Sequence, residues 1–143
     1  MARRIPIIKL RGNLIVSIQI DLSDELVSEL KENIAHESRQ TDVFGLVIEV
    51  SGVDTFDSYI ARSVREIAQI ARCMGVATVL AGLDAAMAIT LVEMGMDLEG
   101  VETTLNLESA IDFLDEIARE RAATDEMIEQ LLIEELDEVT AKT

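Results

Sequence analysis

The chain has 143 residues, 49% hydrophobic and 28% charged, with 28 acidic against 12 basic side chains and a net charge of −16. That length holds one domain and a tail, and the balance is that of a folded chain, not a disordered one. The charge repels a phosphate backbone, and no Trp, one Tyr and three Phe leave little for a base-stacking platform, so nucleic-acid binding is excluded.

Cys73 is the single cysteine, so no intrachain disulfide is possible and a reducing compartment, the cytoplasm, is expected. Arg3 and Arg4 precede only Ile5-Pro6-Ile7-Ile8 before Lys9 interrupts. Neither a targeting segment nor a membrane span is expected.

Residues 5–10 and 13–20 are β-branched runs separated by Arg11-Gly12, and read as an antiparallel hairpin. In the second run Leu14, Val16, Ile18 and Ile20 share one face; Ile15, Ser17 and Gln19 share the other, which is expected to be partly solvated. Leu22-Ser23-Asp24 opens a helix carrying Leu26, Val27, Leu30 and Ile34, ending near Arg39. Residues 43–50 are nearly continuous in apolar side chains, the pattern of a central strand. From Ser58 onward, Ile60, Val64, Ile67, Ala68 and Ala71 form the apolar face of a second helix closed by Gly75. Residues 76–81 read as a buried strand, Asp84 as the cap of a third helix ending at Gly95, and 101–105 as a short strand. Asn106 caps a fourth helix with Leu107, Ile111, Leu114 and Ile117.

Beyond Arg121 the composition turns acidic, yet Ile128, Leu131, Leu132, Leu136 and Val139 keep helical spacing. This reads as an extra acidic amphipathic helix, dividing the chain into a domain over 1–121 and an extension over 122–143. The order β-β-α-β-α-β-α-β-α predicts an α/β fold with a mixed sheet of about five strands, the hairpin antiparallel and the later strands parallel, flanked by about four helices.

Between the central strand and the second helix lies the corner Ser51 to Ser58, at the carboxyl end of a parallel strand, where open α/β sheets place their sites. Ser58 is expected to cap the helix through its hydroxyl. A phosphoryl group on it would meet free N–H donors and the positive end of the helix dipole. Capping alone accounts for a serine here; the location adds a functional reading. Asp57 beside it would repel a second negative group, so phosphorylation would make a repulsive surface patch. Drawn at 100° per residue, Arg62, Arg65, Gln69 and Arg72 fall on the side of Ser58. That strip either docks an acidic partner surface, with Arg62 one turn from a Ser58 phosphate, or is a solvated face with Arg62 paired to Glu66.

Other chemistry lacks supporting parts. Asp54 and Asp57 do not make a phosphoaspartate receiver, because the only lysines are Lys9, Lys31 and Lys142 and no acidic pair follows the first strand. Ser58 has no base, since the single histidine, His36, sits late in the first helix and reads as a surface residue. Cys73 reads as core packing, and Gly75, Gly82, Gly95 and Gly100 as caps and turns. No catalytic residue, cofactor or metal site is expected.

Ile7-Ile8-Lys9-Leu10, Leu14-Ile15-Val16-Ser17-Ile18-Gln19, Asp57-Ser58-Tyr59-Ile60-Ala61, Met74-Gly75-Val76 and the stretch Ala85 to Gly95 together resemble the STAS-domain, anti-anti-sigma factor family. The resemblance runs from about residue 5 to about residue 117 and is strongest to the RsbS-like branch of small stressosome components. It implies a non-enzymatic phosphoprotein of partner switching in a stress response. Such a protein co-assembles with RsbR-like STAS paralogues, sequesters an RsbT-like serine kinase, is phosphorylated by it, and is reset by an RsbX-like phosphatase. The acceptor position falls on Ser58, with Thr90 a weaker candidate and Thr55 and Ser63 below it; Asp57, Tyr59, Arg62, Arg65 and Arg72 are the candidate partner-binding residues. Tyr59-Ile60-Ala61 stands where simpler relatives carry small residues, and the extension past residue 121 has no family counterpart. The extension would pack on the core, pair with a neighbouring subunit, cover the basic strip, or fray. The rival function is a sensor domain binding a nucleotide or small anion at the same helix terminus without covalent change.

Overall fold

Arg11 and Gly12 both take left-handed backbone, at φ 49° and 80°, which gives the two-residue turn whose twist suits a hairpin. It joins β1 (Ile7–Leu10) to β2 (Asn13–Ser17), pairing Leu10 with Asn13 and Ile7 with Val16. The computed structural model describes residues 5–19, 22–40, 42–95, 98 and 100–142. After the hairpin come α1 (Asp24–Ser38), β3 (Gly45–Glu49), α2 (Ser58–Cys73), β4 (Ala77–Ala81), α3 (Ala85–Glu93), β5 (Glu102–Thr104) and α4 (Leu107–Ala141). Strands lie in chain order, β1 antiparallel to β2 and every later pair parallel, with β3 central as its apolar run requires.

Parallel strands laid down one after another in a single direction need crossovers of one hand, and right-handed ones put α1, α2 and α3 on the same face. That face is sealed by Leu14, Val16, Leu46, Ile48 and Leu80 from the sheet against Leu30, Ile34, Val64, Ile67 and Met87. The opposite face belongs to α4, whose Ala110, Ile111 and Leu114 cover Ile15, Val47 and Val79. Ile15 is therefore buried, at 6% exposure, whereas Ser17 and Gln19 on the same face are half-buried and exposed, so the expected partial solvation holds for those two and fails at Ile15. Alternation reports which residues share a side, not what later covers it. Ile20, assigned to the other side, lies outside the described residues.

Asp84 and Asn106 cap α3 and α4 as expected, accepting from the Met87 and Ser109 amides at 2.8 Å each. The acidic extension is not a separate helix. α4 runs unbroken for 35 residues, about 52 Å at 1.5 Å per residue, because nothing between 107 and 141 is Gly or Pro and most residues are strong helix formers. Its course fixes two poles. α4 starts beside the carboxyl ends of the strands, passes Gly45 at the start of β3 with Leu114, brings Asp115 to 3.6 Å from Arg11, and sets the Arg121 guanidinium 5.1 Å from the Phe44 ring. It then leaves the domain at the end opposite the Ser58 corner, with every described residue from 119 onward exposed.

The α4 approach depends on Gly45. A Cβ there would lie 2.8 Å from Leu114 Cδ1 and 2.7 Å from Asn13 Oδ1. Gly45→Ala is expected to cost about 1–3 kcal/mol in chemical denaturation, the range for overpacking a tight core; an unchanged midpoint would contradict this packing. A second measure comes from the clasp between Lys9 and Asp42, 2.5 Å apart. The Lys9 hydrogen bond holds the Asp42 carboxyl below its ordinary value of 3.8. The folded chain thus binds that proton more weakly than the unfolded one, so the clasp contributes above the ordinary value and is lost as pH falls through the lowered one. Asp42→Asn should flatten the acid limb of stability against pH.

Candidate functional site

Val53 and Phe56, both packed on the core, anchor the corner that follows β3. They deliver the chain to α2 with Asp57 in extended backbone, φ −104° and ψ −179°, and its Oδ1 accepts from the Ile60 amide at 2.9 Å. Asp57, and not Ser58, is therefore the cap. Two good cap residues stand side by side, and the carboxylate takes the position because it also complements the positive helix end. Ser58 becomes the first helical residue. Its side chain is exposed, and its hydroxyl has no hydrogen-bond partner among the described residues.

Tyr59 ties this helix start to α1. Its hydroxyl donates to Asp24 Oδ1 at 2.7 Å. That bond, before desolvation and the Asp24 charge, raises the phenol above its ordinary value of 10.0. About two turns further, Lys31 on α1 pairs with Glu66 on α2, so Glu66 is taken and is not the partner of Arg62. Between these ties runs a groove of about 270 Å³ lined by Asp24, Lys31, Tyr59 and Arg62.

The arginine face exists as the helical spacing predicts. Arg62, Arg65, Gln69 and Arg72 are exposed, while Ile60, Val64, Ile67 and Ala71 are buried. It is not uniform, however. Arg62 and Arg65 stand near Ser58 with no ion pair among the described residues. Arg72, about 21 Å along the helix, lies against Gly100, where an added Cβ would come 2.2 Å from its Cζ. The other hydroxyls are engaged or hidden. Thr90 Oγ1 is half-buried and donates to the Ala86 carbonyl at 2.9 Å, and Ser63 is buried and donates to the Tyr59 carbonyl at 2.9 Å. Thr55 is exposed. Cys73 is exposed rather than packed in the core, because it sits two residues beyond Ala71, on the far side of α2. His36 is on the surface.

Asp24, Lys31 and the network at the strand ends escape a sequence reading. In that network Glu49 accepts from Ser17 Oγ at 3.1 Å and from the Ser51 amide at 2.8 Å, and Gln19 donates to Ser17 at 3.0 Å. The Tyr59–Asp24 and Lys31–Glu66 pairs each join residues 35 apart, beyond the reach of any local pattern. Among the described residues no group of three or more His, Cys, Asp or Glu is placed to hold a metal ion, and no helix is long and apolar enough to cross a membrane.

Removing the cap by Asp57→Ala should lower stability by about 1 kcal/mol in denaturant titration; no loss would place the cap elsewhere. The chain has one tyrosine, so phenolate absorbance reads Tyr59 alone. A raised phenol contributes to stability below 10 and loses that contribution as pH climbs through its folded value. The titration midpoint should lie above 10.0, and Asp24→Asn should bring it down; identical curves would show that the bond to Asp24 is absent in solution.

The family described as the STAS domain matches residues 4–116. Among solved structures, the S58E variant of RsbS from Moorella thermoacetica is 38% identical with a TM-score of 0.72, covering 82% of this chain and 99% of that one. A chain from the molecular architecture of the stressosome, described as a signal integration and transduction hub, is 39% identical with a TM-score of 0.71, covering 80% and 99%. Among curated proteins, the RsbT co-antagonist protein RsbRC of Bacillus subtilis is 32% identical over 82 residues, which are 57% of this chain and 29% of RsbRC. RsbRB of the same organism is 26% identical over 93 residues, 34% of its length. The chain thus spans about a third of the curated relatives it matches. It belongs to the STAS-domain family and, within it, is similar to RsbS and to a chain of the stressosome.

Proposed function

We propose that the chain is a regulatory, non-enzymatic scaffold of a partner-switching complex, which holds an RsbT-like serine kinase until that kinase phosphorylates Ser58. The observation that carries the reading is the Ser58 hydroxyl. It is exposed and without a hydrogen-bond partner among the described residues at the first position of α2, with Asp57 already filling the cap beside it. A phosphate added there displaces no native hydrogen bond. It is kept from the cap by the Asp57 carboxylate and has Arg62 one turn on as an ion-pair partner, so its charge is presented outward. Similarity to RsbS and to a stressosome chain supports co-assembly with RsbR-like STAS paralogues, and the RsbT co-antagonist names of the curated relatives support the kinase. An RsbX-like phosphatase resets the site in this scheme.

Asp57, Tyr59, Arg62 and Arg65 form the proposed docking surface around the acceptor, with Arg72 at its far end. Thr90 ranks second as acceptor because its hydroxyl is engaged with Ala86. The division into a STAS domain over 1–121 and an extension over 122–143 belongs to the same proposal. Small-anion binding without covalent change is the weaker reading, since a carboxylate occupies the helix terminus where an anion would sit.

Incubation with the cognate kinase and ATP followed by mass mapping should find one phosphate on Ser58. Ser58→Ala should retain the kinase in a pull-down and Ser58→Asp release it. Phosphate elsewhere, or equal retention by both variants, would sink the proposal.

A further inference from the structure

The sheet-facing side of α4 does not stop where the sheet stops. At 100° per residue, Ala110 and Leu114, buried against the sheet, lie on the same side of the helix as Ile128, Leu132 and Val139. Those three are 49%, 56% and 58% exposed. An apolar seam of this kind, repeating over some three turns in water, is the mark of a helix that pairs. The extension carries seven acidic residues and one lysine, so a second copy would be repelled unless its register matched charges.

Two charged residues interrupt the seam, and they decide the register. Arg121 and Glu135 are opposite in sign, each seven residues from Ile128. Neither has an ion pair among the described residues. If two copies of α4 run antiparallel about a two-fold axis at Ile128, Arg121 of each faces Glu135 of the other, Thr124 faces Leu132, and Ile117 faces Val139. Arg121 is already held over Phe44, so little side-chain freedom is lost in meeting a carboxylate. The Val139 end of the second helix then arrives at an open groove of about 540 Å³ at the base of the domain, walled in part by Phe113, Ile117 and Arg121. A parallel pair in register would instead set Arg121 on Arg121 and Glu135 on Glu135. We infer that the α4 extension is a dimerisation arm, pairing antiparallel with the arm of a second copy of this chain about Ile128.

The test uses the full chain with Cys73→Ser, so that the native thiol does not report. Ile128→Cys should then form an interchain disulfide on mild oxidation, whereas Asp137→Cys, on the outer side of the arm, should not. Arg121→Glu and Glu135→Arg should each reduce the cross-link at position 128 by roughly tenfold, through two like-charge contacts per dimer. The double swap should restore it to about the original yield. Because the cross-link reports on α4 alone, assembly through other faces of the domain does not imitate it, and its outcome is independent of Ser58 phosphorylation. No cross-link at 128 overturns the inference and leaves the seam to a helix of another protein. An equal cross-link at 137, or a double swap no better than the single ones, overturns the antiparallel register. Circular dichroism of each variant checks that α4 remains helical.

Discussion

Three crossovers of one hand, taken in one direction along the sheet, govern this molecule. Strand order β1 to β5 follows the chain, so α1, α2 and α3 have no choice of face, and α4 alone is left to close the other. It does so over Gly45, the position on β3 with no side chain to hold the helix away. The same constraint separates the chain into two working ends. All the helix starts, including the Ser58 corner, gather where the parallel strands finish. The long arm of α4 leaves from where they begin.

At the first end, the question of which residue caps α2 decides what Ser58 is free to do. A capping serine would have its oxygen engaged with a backbone amide, and phosphorylation would break that bond. With Asp57 in the cap, the serine hydroxyl has no hydrogen-bond partner among the described residues, and a phosphate on it would add to an existing negative charge instead of replacing a structural contact. The ties from Tyr59 to Asp24 and from Lys31 to Glu66 then brace the helix start against α1, so the repulsion that the proposed phosphate would add would fall on the surface and not on the fold.

Much of this was legible in the sequence because it is local. The nearly continuous apolar run at 43–50 marks β3 as central, Asp84 and Asn106 mark two helix starts, and the spacing of Arg62, Arg65, Gln69 and Arg72 draws an exposed face that the structure retains. What local pattern could not decide was competition and coverage. Asp57 and Ser58 are both good caps, and the carboxylate's charge at the positive helix end, with Phe56 and Ile60 anchored on the core, chooses between them. Ile15 looks half-exposed by alternation until α4 returns to cover it. Glu66 has Arg62 as a neighbour on its own helix but Lys31 across the interface. The change of composition after Arg121 reads as a boundary, yet helix continuity depends on propensity and on the absence of Gly and Pro, which acidity leaves untouched.

In the proposed switch, a phosphate on Ser58 changes the surface and leaves the fold alone. Amide chemical shifts of the chain carrying phosphoserine at position 58, compared with the unmodified chain, test it most directly. The expected changes are confined to the corner, the first turn of α2 and the neighbouring Asp24. Changes spreading to Val64, Ile67 and Leu46 in the core would contradict it.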